Sequence, residues 1–362
     1  MIPEKEKINS TQLTLLIFCL YLGVDSLKLP YDIVSIANQD ALLCLIISLI
    51  YPVTMLYLMS VVIKYCGDRT LVKLNKDFFG NKFGNVLNLL FSLQFIIYPC
   101  QILSSLLSLN KTFLSPTIIP IKMSLILCMF ILYASLKGLG ALVRISTVMA
   151  LSITILILLC ITALNEGSIL NIMPVLDASF SNIMSGCLRA LYYFTTIEAL
   201  LIIHPFIKSS NKHRFLKDSL RGFSLVFFFS FLVMFICIYR LGIDLIKKSS
   251  WPFILAIQNI YIPIFTNFRY IFLLFWNSKS LLVIILEIFI FCQIINESFN
   301  IKNKFIYYLS FIICFIFSYI FYSLPIMSSI ILYISPIIIL FNVILICIFI
   351  LRLKKESIKN PS

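Results

Sequence analysis

Two apolar stretches of this chain are interrupted by polar residues of the kind that bind small molecules. The first reads Leu20-Tyr21-Leu22-Gly23-Val24-Asp25-Ser26-Leu27-Lys28-Leu29-Pro30 and the second Tyr193-Phe194-Thr195-Thr196-Ile197-Glu198-Ala199-Leu200. Charge at bilayer depth is costly and usually marks a site. A matched pair of interrupted helices, one opening each half of a membrane protein, points to a ligand site near the midplane. Gly23 tolerates unusual backbone angles, and Pro30 removes a donor and discourages helix just before it. Unwound backbone between them would line a cavity, and N–H groups freed at Gly23, Val24, Asp25, Ser26 and Leu27 can receive a carboxylate. The competing reading is a kinked helix with an Asp25–Lys28 ion pair. In the second break, Thr195 and Thr196 can bond backbone carbonyls and bend the helix. Glu198 can anchor an amine, carry a proton, or pair with a base such as Lys279.

Lys279 and Glu287 interrupt another apolar run and are spaced about two helical turns apart, so they share a face. They form either a polar path with Glu198 or a buried ion-pair cluster. Tyr98-Pro99 is either a wall of the pocket or an ordinary kink, and the sequence favours the kink. Arg189 is expected to extend outward along its apolar stem.

These residues need a membrane scaffold. The chain is 61% hydrophobic with a mean hydropathy of +1.04, where soluble domains are roughly 45–50% apolar. Ten segments reach the length of about 17–25 residues that a crossing needs: about 11–36, 41–65, 83–109, 117–136, 140–163, 182–207, 219–242, 268–298, 304–323 and 328–351. The first and sixth are the broken pair. The fold expected is an all-α integral membrane domain over 1–362, with one repeat at about 11–163, a second at about 182–351, and a basic tail at 352–362. The first apolar segment reads as an uncleaved span, because no small-residue cleavage site follows it.

A net charge of +14 could suggest nucleic acid, but the basic residues lie in short loops between spans. On the side of both termini stand Lys5, Lys7, Lys64, Arg69, Lys73, Lys76, Lys82, Lys137, Arg144, Lys208, Lys212, Arg214, Lys217, Arg221, Lys302 and Lys304, with the tail residues. The other side has only Lys111, Lys122, Arg240, Lys247, Lys248 and Arg269. That bias predicts cytoplasmic termini. Arg352, Lys354, Lys355 and Lys359 can touch anionic lipid. Arg69–Phe79 is expected to lie along the interface, and Ser250–Pro263 to cover the opposite mouth. The eleven Cys are scattered through apolar segments without a C-x-x-C pair and read as small buried hydrophobes. His204 and His213 have no clustered ligands, so no metal site is expected. No nucleophile, base and metal set suggests catalysis, and no cofactor is implied.

The chain resembles the B subunit of spore germinant receptors, a branch of the amino acid–polyamine–organocation superfamily. The resemblance rests on Ile8-Asn9-Ser10-Thr11-Gln12, Gly23 to Leu29-Pro30, Asn38-Gln39-Asp40-Ala41 and Arg69-Thr70-Leu71. It extends through Phe194 to Glu198, His204-Pro205-Phe206 and Ser250-Trp251-Pro252-Phe253. It implies a LeuT-like five-plus-five inverted repeat with the first and sixth helices unwound. It also implies a small nutrient germinant, often an amino acid, sensed in the spore inner membrane together with an A subunit and a lipoprotein C subunit. A secondary transporter for an amino acid or related solute would use the same fold. The chain departs from the family's pattern where Thr195-Thr196 replaces Gly-rich backbone, and where Asp25 and Lys28 place charge.

Overall fold

The computed structural model describes residues 3–67, 69–260, 267–301 and 304–359. Lys302 and the last three residues of the Ser250–Pro263 cover lie outside the described residues. Everything described is helix, turn or loop, with one isolated parallel bridge between Ile8 and Ile207.

The first crossing starts at a reciprocal cap. The Asn9 side chain accepts the Gln12 N–H at 2.9 Å, and the Gln12 side chain accepts the Asn9 N–H at 3.0 Å, so two otherwise orphaned donors are satisfied. Helix α1 (Ser10–Tyr21) then runs into a 3₁₀ turn at Val24–Leu27 and resumes as α2 (Leu29–Ala37), with Pro30 in its first turn. Proline is tolerated there because the N–H it lacks would be unpaired anyway. Helices α3 (Ala41–Ser48) and α4 (Ile50–Cys66) make the second crossing.

Helix α5 (Leu71–Phe113) bends at Gly80, whose φ of 78° suits glycine. The piece before the bend is the amphipathic stretch expected at 69–79. Arg352 donates to the Phe78 carbonyl at 2.6 Å, so part of the basic tail lies on that stretch. Then follow α6 (Pro120–Ser135), α7 (Leu139–Cys160) and α8 (Phe180–Leu191). After α8 the chain makes 3₁₀ turns at Tyr192–Phe194 and Ile197–Ala199 before α9 (Leu200–Ile203). The rest comprises α10 (Phe215–Lys248, bent at Gly242), α11 (Pro252–Ile257), α12 (Phe268–Phe299), α13 (Phe305–Ser323) and α14 (Pro325–Lys359).

Among the described residues, eight helical runs are long and apolar enough to cross a bilayer, and Ser10–Tyr21 and Pro120–Ser135 are shorter apolar helices. Together they account for the ten expected segments. The most apolar window of α12 is 83% buried, whereas those of α13 and α14 are 28% and 33% buried. So α12 is a central post and the last two helices lie at the periphery. Helix α12 packs on α5, α1 on α10 and α7, and α2 and α3 on α8. Ten of the eleven cysteines are buried, Cys347 being exposed.

The two broken crossings run in opposite directions. At the N-terminal face, the Ile8 N–H donates to the Phe206 carbonyl at 2.8 Å, and the Lys208 N–H donates to the Ile8 carbonyl at 3.0 Å. At the opposite face, Gly186 of α8 lies against Ala37 and Cys44. Their breaks therefore meet at mid-depth.

Candidate binding site at the paired breaks

In the first break Gly23 has φ −72° and ψ 179°, an extended conformation open to any residue. A Cβ there would sit 3.6 Å from Ile102 Cδ1, an ordinary contact. The expectation that Gly23 supplies unusual angles is thus not met. The left-handed residue is in the second break: Thr196, with φ 66° and ψ 11°. A β-branched residue rarely adopts φ > 0, and strain of this kind clusters at functional sites. Part of the first break's backbone is internally satisfied, with the Ser26 N–H bonded to the Gly23 carbonyl at 3.2 Å and the Lys28 N–H to the Asp25 carbonyl at 2.8 Å.

A cavity of about 50 Å³ lies between the breaks. Its walls include Tyr21, Gly23, Asp25, Ser26, Tyr98, Tyr192, Tyr193, Thr195, Thr196 and Glu287. At roughly 10–15 Å³ per water, it has room for a few waters or one small head group. Asp25 Oδ2 accepts the Tyr192 hydroxyl at 2.7 Å, and Glu287 Oε1 accepts the Thr196 hydroxyl at 3.1 Å. Asp25 Oδ1, Glu287 Oε2 and the Tyr21 hydroxyl are buried without a hydrogen-bond partner. The Thr195 hydroxyl turns back to the Tyr192 carbonyl at 2.8 Å, and the Ser26 hydroxyl to the Gly23 carbonyl at 2.7 Å.

Above this cavity, toward the face opposite the N-terminus, lies a wider vestibule of about 500 Å³ that shares Asp25, Tyr192 and Tyr193 with it and adds Lys28, Asp32, Gln101 and Arg189. The Tyr193 hydroxyl bonds to Asp32. The layer between the two spaces is thus a pair of Tyr–Asp hydrogen bonds linking α2 and the first break to the second.

Several expected pairings are absent among the described residues. Lys28 does not pair with Asp25; its ammonium bonds the Ser105 hydroxyl at 3.2 Å and lies 4.5 Å from the Trp251 ring centroid. Glu198 is fully buried but behind the cavity wall, where it accepts the Tyr51 hydroxyl at 2.7 Å. Lys279 is fully buried with no hydrogen-bond partner, 5.2 Å from the Trp276 ring centroid, and makes no ion pair with Glu198 or Glu287. Arg189 is half-buried and lines the vestibule, with its guanidinium over the exposed Tyr333 ring. Val24 and Leu27 are fully buried but do not line the cavity. Tyr98 forms cavity wall in an α5 that runs unbroken through Pro99, so the wall stands where a kink was favoured. Sequence reasoning missed Tyr21, Tyr192, Tyr193 and Asp32. The signal was there: three tyrosines and an aspartate sit within a turn or two of the breaks.

Two antiparallel broken helices enclosing a polar cavity define a membrane protein of the LeuT-like fold. The chain superposes on a substrate-bound, outward-open Na⁺-coupled sialic acid symporter with a TM-score of 0.68, at 11% identity, over 94% of this chain and 79% of that one. That likeness shows the fold. A family model described as spore germination protein matches residues 7–329, and the chain belongs to that family. The curated Bacillus cereus spore germination protein GerQB is 21% identical over 319 residues, covering 87% of this chain and 86% of that protein. Neither the family nor the structural neighbour points to catalysis.

Proposed function

We propose that this chain is the B subunit of a spore germinant receptor and that the cavity at the paired breaks is its nutrient site. The observation that carries this reading is the match to the spore germination family across residues 7–329 in a chain whose two helix breaks enclose a polar cavity. A small germinant, an amino acid being the leading class, enters through the vestibule, displaces the Tyr192–Asp25 and Tyr193–Asp32 contacts, and settles between the breaks. Closure around it shifts the conformational population and alters a surface read by an A subunit and a lipoprotein C subunit. The protein sits in the spore inner membrane with both termini on the core side, as the distribution of Lys and Arg supports.

The test is germination of spores lacking only this gene, challenged with amino acids, sugars and nucleosides and read by dipicolinate release. Loss of response to one ligand class, restored by the intact gene, is expected. Normal responses to every class from spores in which this is the sole receptor operon would refute the reading. The likeness to a symporter favours one alternative, a secondary transporter of the same fold. Ligand-dependent solute uptake into proteoliposomes containing this chain alone would establish it.

A further inference from the structure

The cavity wall is charged on one side of the ledger only. Asp25 and Glu287 both line it, and none of its described lining residues is Lys, Arg or His. Each carboxylate spends one oxygen on a neighbour, Tyr192 for Asp25 and Thr196 for Glu287. The other oxygen of each is buried without a partner, as is the hydroxyl of Tyr21. Asp25 is 7% exposed, Glu287 2% and Tyr21 7%. Buried polar atoms are normally hydrogen-bonded, and the exceptions need a reason. Buried carboxylates in addition need a counter-charge.

One chemical group meets all of these needs. A primary ammonium carries one positive charge and three N–H donors and has no acceptor. The cavity offers three unpartnered oxygens, two of them on carboxylates. The remaining wall includes the rings of Tyr98, Tyr192 and Tyr193, and aromatic faces attract organic cations. A carboxylate guest would meet two like charges here. An alkali ion would meet the same oxygens without donating hydrogen bonds to them, and the salts compared below separate the two.

We propose that the cavity is an ammonium site, in which Asp25 Oδ1, Glu287 Oε2 and the Tyr21 hydroxyl receive the three N–H donors of a protonated primary amine. The inference rests on the reading of this cavity as the ligand site, and it narrows the ligand to compounds with an amine. Any carboxylate on them lies toward the vestibule, where Lys28 and Arg189 stand.

The purified full-length chain in detergent is melted in methylammonium chloride, sodium chloride and sodium propionate at matched ionic strength. The expected result is a saturable rise in melting midpoint with methylammonium alone. Its half-maximal concentration should increase roughly 10- to 100-fold in Glu287→Gln and in Asp25→Asn, the loss of a hydrogen bond to a charged group. Tyr21→Phe, which leaves both carboxylates in place, provides a milder third variant should either of those fail to fold. An equal rise in sodium chloride would make this an alkali-ion site, and a rise with propionate an anion site; both overturn the proposal. No rise with any salt overturns it too, since the carboxyls would then be held neutral by protons. The spore assay is independent: a response that depends on this gene without methylammonium binding would refute the ammonium site and leave the receptor reading standing.

Discussion

Thr196 lets the strain at the second break be measured. It combines φ 66° with a hydroxyl that donates to Glu287 at 3.1 Å. A Cβ in the left-handed region costs about 1–2 kcal/mol, and a hydrogen bond to a charged group contributes about 1.5–3 kcal/mol. Thr196→Ala removes the bond and keeps the strain, so it should destabilise by about 1.5–3 kcal/mol. Thr196→Gly removes both, but glycine also gains freedom in the unfolded chain, which returns about 0.4–1 kcal/mol. The glycine variant should therefore be more stable than the alanine variant by about 0–1.6 kcal/mol, centred on ~0.8, on the order of 1–2 °C for a chain of this size. Because ten cysteines are buried and only Cys347 is exposed, a thiol-reactive fluorophore reports melting of the detergent-solubilised protein directly. A glycine variant that melts below the alanine one would refute the claim that Thr196 is strained.

Other substitutions test separate parts of the structure. Tyr192→Phe with Tyr193→Phe should raise the labelling rate of Ser26→Cys by a polar thiol reagent several-fold, because the Tyr–Asp layer between vestibule and cavity is lost; an unchanged rate would mean that this layer is no barrier. Lys279→Met should raise the melting midpoint, since a fully buried ammonium without a hydrogen bond is replaced by an apolar chain of similar volume; a fall would show that the charge has a stabilising partner. Gly222→Ala should destabilise by about 1–3 kcal/mol, because its Cβ would lie 2.6 Å from the Thr14 carbonyl and 2.9 Å from Ile17 Cβ; a midpoint equal to that of the parent protein would contradict the close packing of α10 on α1. Tyr51→Phe strips Glu198 of its hydroxyl donor and should lower stability by about 1–3 kcal/mol, again read by thermal melting.

The crossings were legible because a bilayer imposes length and apolarity on every one of them. The breaks were legible because polar residues at that depth have few benign explanations. Side-chain partners were not. Lys28 is three residues from Asp25, yet the 3₁₀ turn and the nearby Trp251 ring direct its ammonium elsewhere. Lys279 and Glu287 share a helix face, but the Glu287 carboxylate reaches the cavity while the Lys279 ammonium stops at Trp276. Glu198 looked like the ligand contact because it is the charged residue of the second break. The left-handed turn at Thr196 points it toward Tyr51 instead. Tyrosines are unremarkable in an apolar sequence, so Tyr21, Tyr192 and Tyr193 acquire meaning only once both breaks are brought together.

The bridge at Ile8 has a consequence for how movement leaves the cavity. Backbone bonds tie Ile8 to residues 206 and 208, the Ser10 hydroxyl bonds Asp218, and Gly222 lets α10 sit directly on α1. This end of the molecule is riveted. At the other end α2 and α3 pack on α8, the Tyr192–Asp25 and Tyr193–Asp32 bonds join the two breaks and α2, and Asp40 accepts the Leu176 and Ala178 N–H groups at 2.6 and 2.8 Å. A guest between the breaks bears directly on the Tyr–Asp bonds and on none of the bonds at the Ile8 end. The N-terminal face is thus pinned by main-chain bonds that the cavity does not touch, while the opposite rim is held in part by the Tyr–Asp bonds that form the cavity's own wall.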